Sequence, residues 1–119
     1  MASKVTSLRV PYLPIAVGIP EKHLSLDLTA LLDNGFNSDV IVPQPAVANG
    51  VPALLQNDIR LADDSRITVP GYLGNVRVGD TTIEPVMVLV MGNEAILGLN
   101  VITQFQLTID HDRSLTVEP

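Results

Sequence analysis

Hydrophobic and polar positions alternate with a period of two from His23 to Ala30: His23, Ser25, Asp27 and Thr29 interleave with Leu24, Leu26, Leu28 and Ala30. That period turns one face of an extended segment inward and the other to water, so His23–Leu32 is predicted to be a strand. A first long strand is predicted over Val5–Val17, set off by Gly18-Ile19-Pro20-Glu21. Val40–Val42 is a short apolar strand stopped by Pro43, and Pro45–Asn49 fits one helical turn stopped by Gly50. Asp58–Leu61 and Ile67–Val69 flank Asp63-Asp64-Ser65 as the arms of a hairpin, and Tyr72–Val78 and Thr82–Met91 form another around Gly79-Asp80. Asn100 is placed to N-cap a short helix, Val101–Phe105. Gln106–Ile109 and Leu115–Val117 close the chain as strands turned at Asp110–Arg113. Glycine and proline punctuate the whole at short intervals, the rhythm of an all-β domain.

Composition narrows the picture. The 119 residues suit one domain, 1–119, with room for a single core. Hydrophobic content is 46% with two Phe, two Tyr and no Trp, so Val, Leu, Ile and Ala must build that core. Many of these are β-branched and favour strands. The net charge of -6 with seven scattered basic residues argues against a phosphate-tracking surface, and so against nucleic acid as a partner. Absence of cysteine removes disulfides, thiolate metal sites and a cysteine nucleophile. Basic residues precede Val10–Ile19, but Pro11, Pro14 and Pro20 interrupt that run and no A-x-A site follows, so no signal peptide is expected. No segment reaches the ~18 apolar residues of a membrane span. A cytoplasmic protein without membrane partners is the expectation.

Chemistry concentrates at Leu31-Leu32-Asp33-Asn34-Gly35, where an acid and a turn glycine close an apolar run. A carboxylate in such a place must be hydrogen-bonded, paired or partly protonated, because an isolated buried charge is very costly. The residues alone admit two readings. Asn-Gly after Asp is ordinary hairpin-turn chemistry, with Asn and Gly suited to a type I′ turn. The other reading is a catalytic acid. The remaining candidates carry less. Asp63-Asp64 lacks a spaced ligand set, and His23 and His111 have neither a Cys partner nor His-x-x-x-His spacing, so no metal is expected. Gly-x-Ser-x-Gly, Gly-x-Gly-x-x-Gly and Walker patterns do not occur, which leaves a serine triad or a nucleotide site without support.

Leu31-Leu32-Asp33-Asn34-Gly35-Phe36, followed far downstream by Ile96-Leu97-Gly98 and Leu99–Phe105, resembles the retropepsin-like (retroviral-type, clan AA) aspartic proteases, especially their small single-domain prokaryotic relatives. The family motif is two hydrophobic residues, Asp, Thr or Ser, then Gly; its second mark is a hydrophobic-hydrophobic-Gly element feeding a short helix. A final strand pair, Leu107–Asp110 and Leu115–Val117, completes the likeness, which covers about residues 24–117. The resemblance implies a closed, all-β, acid-protease barrel with a flap hairpin and one short C-terminal helix. It implies Asp33 as the catalytic residue, with Asn34 and Gly35 shaping the active-site loop. Ile96, Leu97 and Gly98 would support that loop, and Asp63, Asp64, Ser65 and Arg66 would form the flap that covers a peptide or protein substrate.

Such chemistry needs two carboxylates sharing one proton, one acting as base on a water and the other as acid toward the carbonyl oxygen. Like charges about 3 Å apart cannot both ionise, so the pair titrates as a coupled unit. None of the other eight aspartates is followed two positions later by glycine. A catalytic pair therefore requires a homodimer, each chain giving its Asp33 across a two-fold axis. No cofactor is implied. Asn34 departs from the family, where a Thr or Ser hydroxyl bonds across to the opposite loop. Asn has both a donor and an acceptor for a substitute bond, but is bulkier and tolerates left-handed backbone. The alternatives are a catalytically weak or inactive dimerisation or peptide-binding module of the same fold, and an unrelated barrel in which Asp33-Asn34-Gly35 is only a hairpin turn.

Overall fold

The computed structural model describes residues 5–8, 10–20, 23–44, 63–111 and 114–118, with the backbone alone over 55–60. Ten strands and one helix occur among them: β1 Val5–Ser7, β2 Tyr12–Ile19, β3 Leu24–Leu32, β4 Val40–Val42, β5 Leu55–Arg60, β6 Arg66–Val78, β7 Thr81–Val90, β8 Ala95–Leu97, α1 Leu99–Ile102, β9 Gln106–Asp110 and β10 Ser114–Glu118. The period-two pattern explains the inner strands. Leu13, Ile15, Val17 and Ile19 of β2 are buried while Pro14 between them is exposed. On β3 the leucines are half-buried and Ser25, Asp27 and Thr29 face water, as the alternation requires.

The large sheet runs β2-β3-β8-β4-β7-β6-β5, and β2 pairs again with β6, which closes six strands into a barrel. Closure occurs at a bulge. Between Gly74 and Val76 the β6–β7 register shifts, and from there β6 also pairs with β2 through Gly18↔Asn75, Val17↔Val76 and Ala16↔Arg77. A bulge bends the strand and raises its twist, which lets one strand serve two neighbours. The seam is tight: a Cβ at Gly74 would lie 2.1 Å from the Gly18 carbonyl oxygen. Only hydrogen fits there.

A smaller sheet, β1-β10-β9, packs Leu115 and Val117 into the main core beside Val101 and Ile102 of α1. A second apolar cluster of Ile41, Val69 and Leu89 gathers Phe36, Ile67, Met87, Met91 and Ile96 around it. It joins the β6 arm of the β5–β6 hairpin, through Ile67 and Val69, to the segment after β3.

Several boundaries differ from the sequence expectation: β2 continues through Gly18-Ile19 and β5 begins at Leu55 rather than Asp58. Val5–Val17 is two strands, because Pro11 has no N–H for the ladder and the chain leaves one sheet for the other around it. β6 runs unbroken through Pro70-Gly71 and joins the expected strands Ile67–Val69 and Tyr72–Val78; Pro70 pairs with Gln56 of β5 one residue before the β7 register begins at Gly71, so it lies on an edge there. The helix begins at Leu99, with Gly98 as its N-cap and Asn100 inside it. His23 is a turn residue with φ 53° ahead of β3. The expected helical turn at Pro45–Asn49 and the end of the Asp58–Leu61 arm lie outside the described residues.

Because a methyl at position 74 meets backbone across the barrel seam, Gly74→Ala is expected to destabilise the fold by ~1–3 kcal/mol. Chemical denaturation measures this; an unchanged midpoint would contradict the close approach.

Candidate active site

Asp33 stands at the C-terminal end of β3, and its position depends on what lies beside that strand. β8 is inserted between β3 and β4. It pairs in parallel with β3 (Ala30↔Ala95, Leu31↔Ile96, Leu32↔Leu97) and antiparallel with β4 (Val40↔Leu97, Ile41↔Ile96). The segment 33–39 therefore arches from β3 to β4 over the end of β8. Since β3 and β4 are not paired neighbours, Asp33-Asn34-Gly35 is not a hairpin turn. Neither Asn34 nor Gly35 has a positive φ, so the type I′ geometry and the left-handed backbone considered for Asn34 are absent.

Four backbone hydrogen bonds fasten this arch to the end of β8 and the segment after it. The Asp33 N–H donates to the Leu97 carbonyl at 3.0 Å, and the Gly98, Leu99 and Asn100 N–H groups donate to the carbonyls of Asp39, Phe36 and Ser38 at 2.8, 2.7 and 3.2 Å. The last two explain why the helix needs no Asn cap. Leu99 and Asn100 open α1, and their N–H groups, orphaned in an isolated helix, are satisfied by the arch. Gly98 is dictated by the same closeness, since a Cβ there would lie 2.2 Å from the Ser38 carbonyl oxygen and 2.7 Å from the Phe36 ring.

Within the arch Asp33 is partly buried as a residue, and its Oδ1 accepts the Gly35 N–H at 2.8 Å in a hydrogen bond that is itself exposed. A Cβ at Gly35 would sit 3.2 Å from that oxygen, so glycine serves close approach here, without a left-handed turn. One carboxylate oxygen is thus oriented by the loop's own backbone. Asn34 and Gly35 are exposed, Leu97 and Gly98 are buried below, and Ile96 is half-buried in the second apolar cluster. The expected support residues and the candidate acid are therefore together.

Asp63, Asp64, Ser65 and Arg66 lie at the exposed end of the β5–β6 hairpin. Asp63 Oδ1 accepts the Ser65 N–H at 3.0 Å and the Ser65 hydroxyl at 2.5 Å, and Asp64 takes φ 66°. This is a side-chain-closed turn of the kind Asp favours. The Ser65 hydroxyl and then the Ser65 N–H hold the Asp63 carboxyl below its ordinary value. Along the β6 arm of the hairpin, Ile67 and Val69 share the apolar cluster with Phe36 of the arch, which links that arm to the candidate site.

One residue at the site carried no role in the sequence reading. Asp39, the last residue of the arch, accepts the Met87 N–H of β7 on Oδ2 at 2.6 Å and the Asn100 amide of α1 on Oδ1 at 3.1 Å. The only local signal was an acid directly before the apolar run Val40–Val42. His111 lies in an exposed turn beside Asp110, 2.6 Å between Nδ1 and Oδ1, away from this constellation in the chain and in the sheet order. Among the described residues no three His, Cys, Asp or Glu side chains gather as metal ligands, and no helix is long and apolar enough to cross a membrane.

No family model matches the chain, and no curated protein matches it by sequence. Among solved structures it is similar to a retropepsin-like aspartic protease from Rickettsia conorii, with a TM-score of 0.64 over 98% of this chain and 91% of that one, at 14% identity. At that identity the likeness is one of fold. It agrees with the closed six-strand barrel and the single short helix among the described residues: this chain has the retropepsin-like fold.

Proposed function

We propose that the chain is an aspartic endopeptidase that acts as a homodimer, with one Asp33 from each subunit and water as the nucleophile. The observation that carries this reading is Asp33 at the end of a barrel strand, with one oxygen oriented by the Gly35 N–H and the loop fastened to 97–100. A single carboxylate does not hydrolyse a peptide by this route. Two of them sharing a proton do: the ionised member takes a proton from water, and the protonated member donates to the carbonyl oxygen as the tetrahedral intermediate forms. The second copy supplies the missing carboxylate.

The β5–β6 hairpin would lie over an extended peptide, which pairs with its backbone as an added strand. The retropepsin-like protease from Rickettsia conorii supports the substrate class by likeness of fold. The reading includes a cytoplasmic setting and neither metal nor organic cofactor. Asn34 favours a second reading, a dimeric peptide-binding module with weak or no catalysis, because the hydroxyl that would bridge the two loops is replaced by an amide.

Asp33→Asn is expected to abolish peptide cleavage while leaving the dimer intact, measured by cleavage of a broad peptide library and by sedimentation. Cleavage that survives the substitution would sink the protease reading, and binding without cleavage by the unmodified protein would favour the module. The flap gives a second expectation. Asp63 is held below its ordinary value of 3.8, so the turn is stabilised above that pH and loses this contribution only as pH falls through the lowered value. Asp63 therefore keeps its two bonds from Ser65 at mildly acid pH. The Ser65 amide shift, followed by NMR against pH, should titrate with a midpoint below 3.8; a midpoint above it would contradict the turn.

A further inference from the structure

Three elements meet at Asp39, and its place in the sheet explains why an acid stands there. β4 and β7 run parallel, paired from Val40↔Val88 onward. One residue earlier, at Met87, β4 has not yet begun, and the Met87 N–H donates to Asp39 Oδ2 at 2.6 Å. The side chain thus continues the ladder one step beyond the strand. Its second oxygen accepts from the Asn100 side chain at 3.1 Å, and its carbonyl accepts the Gly98 N–H at 2.8 Å. A carboxylate offers acceptors in both directions, which two facing N–H donors require. Bonds to an ionised acceptor are shorter and stronger than neutral ones.

We propose that Asp39 is a positioning residue for Asp33. By gripping β7 with one oxygen and α1 with the other, it fixes the far end of the arch and keeps 97–100 seated beneath it. Asp33, whose own N–H bonds to Leu97 in that same segment, takes its orientation from this grip. Asn100 is then explained as well: it sits inside the helix because its amide is the partner of Asp39, and the N-cap position is left to glycine. The role rests on the protease reading only in what the orientation is for; the grip itself is independent of it.

The test uses the full chain in four forms: unmodified, Asp39→Ala, Asn100→Asp, and the double variant Asp39→Asn with Asn100→Asp. In Asn100→Asp two carboxylates face each other and no donor lies between them. In the double variant the new amide at position 39 keeps its oxygen for Met87 and turns its N–H toward the carboxylate at 100, so the contact is rebuilt with donor and acceptor exchanged. Amide hydrogen exchange at Asp33, Met87 and Gly98–Asn100 should accelerate about tenfold or more in each single variant and return toward the original rate in the double. In peptide cleavage the singles should lose kcat with KM nearly unchanged, and the double should recover kcat. Unchanged exchange at Asp33 and 98–100 in a folded single variant, or no recovery in the double, would overturn the proposal. So would exchange that moves while kcat does not. If the unmodified chain cleaves nothing, the exchange pattern still decides the grip, and the protease reading fails separately.

Discussion

The insertion of β8 between β3 and β4 is the constraint on which the rest of the site depends. Three short residues of strand, Ala95–Leu97, pair with partners of opposite direction on their two sides. Without that insertion β3 and β4 would be neighbours, and the residues between them would be a plain hairpin turn. With it, the connection must step over the end of a third strand, and Asp33 is lifted to the start of an arch. The arch in turn caps the helix that follows β8, so loop and helix satisfy each other's backbone groups. Gly98 belongs to the same constraint, because the two segments approach too closely for a side chain.

The barrel holds this arrangement from two directions. Its seam, where β6 turns at the bulge to reach β2, fixes the long strand that also carries the hairpin Asp63–Arg66. The main core lies inside the barrel and extends to α1 and β10, while the second cluster lies between the β6 arm of the hairpin and Phe36. The hairpin and the arch therefore share an apolar cluster through Ile67, Val69 and Phe36. Over its described residues the hairpin's tip is closed by bonds from the Ser65 N–H and hydroxyl to Asp63.

What the sequence made legible follows the range of the interactions. The period of two in β3, the short β4 and the last strand pair are local patterns, and they stand close to where they were expected. Pro70-Gly71 looked like punctuation because the signal for a turn is local, whereas the register with β5 and β7 that carries β6 through it is not. Asn100 looked like a cap for the same reason; the carbonyls that replace it come from Phe36 and Ser38 on another element. Asp33-Asn34-Gly35 was ambiguous in isolation, and it was the resemblance carried by Ile96-Leu97-Gly98 that pointed beyond a turn. Asp39 was invisible, since its partners lie 48 and 61 residues away and neither is acidic, basic or spaced as a motif.

On the protease reading, one chain holds half of a catalytic site. Mixing tests it directly, by exchanging subunits of the unmodified protein with Asp33→Asn subunits in equal amounts and measuring cleavage at fixed total concentration. If both carboxylates are needed, only dimers of two unmodified chains act, and activity falls to about one quarter for random pairing. Activity that falls to only about one half, in proportion to the unmodified chain, would mean that each subunit works alone and would contradict the account.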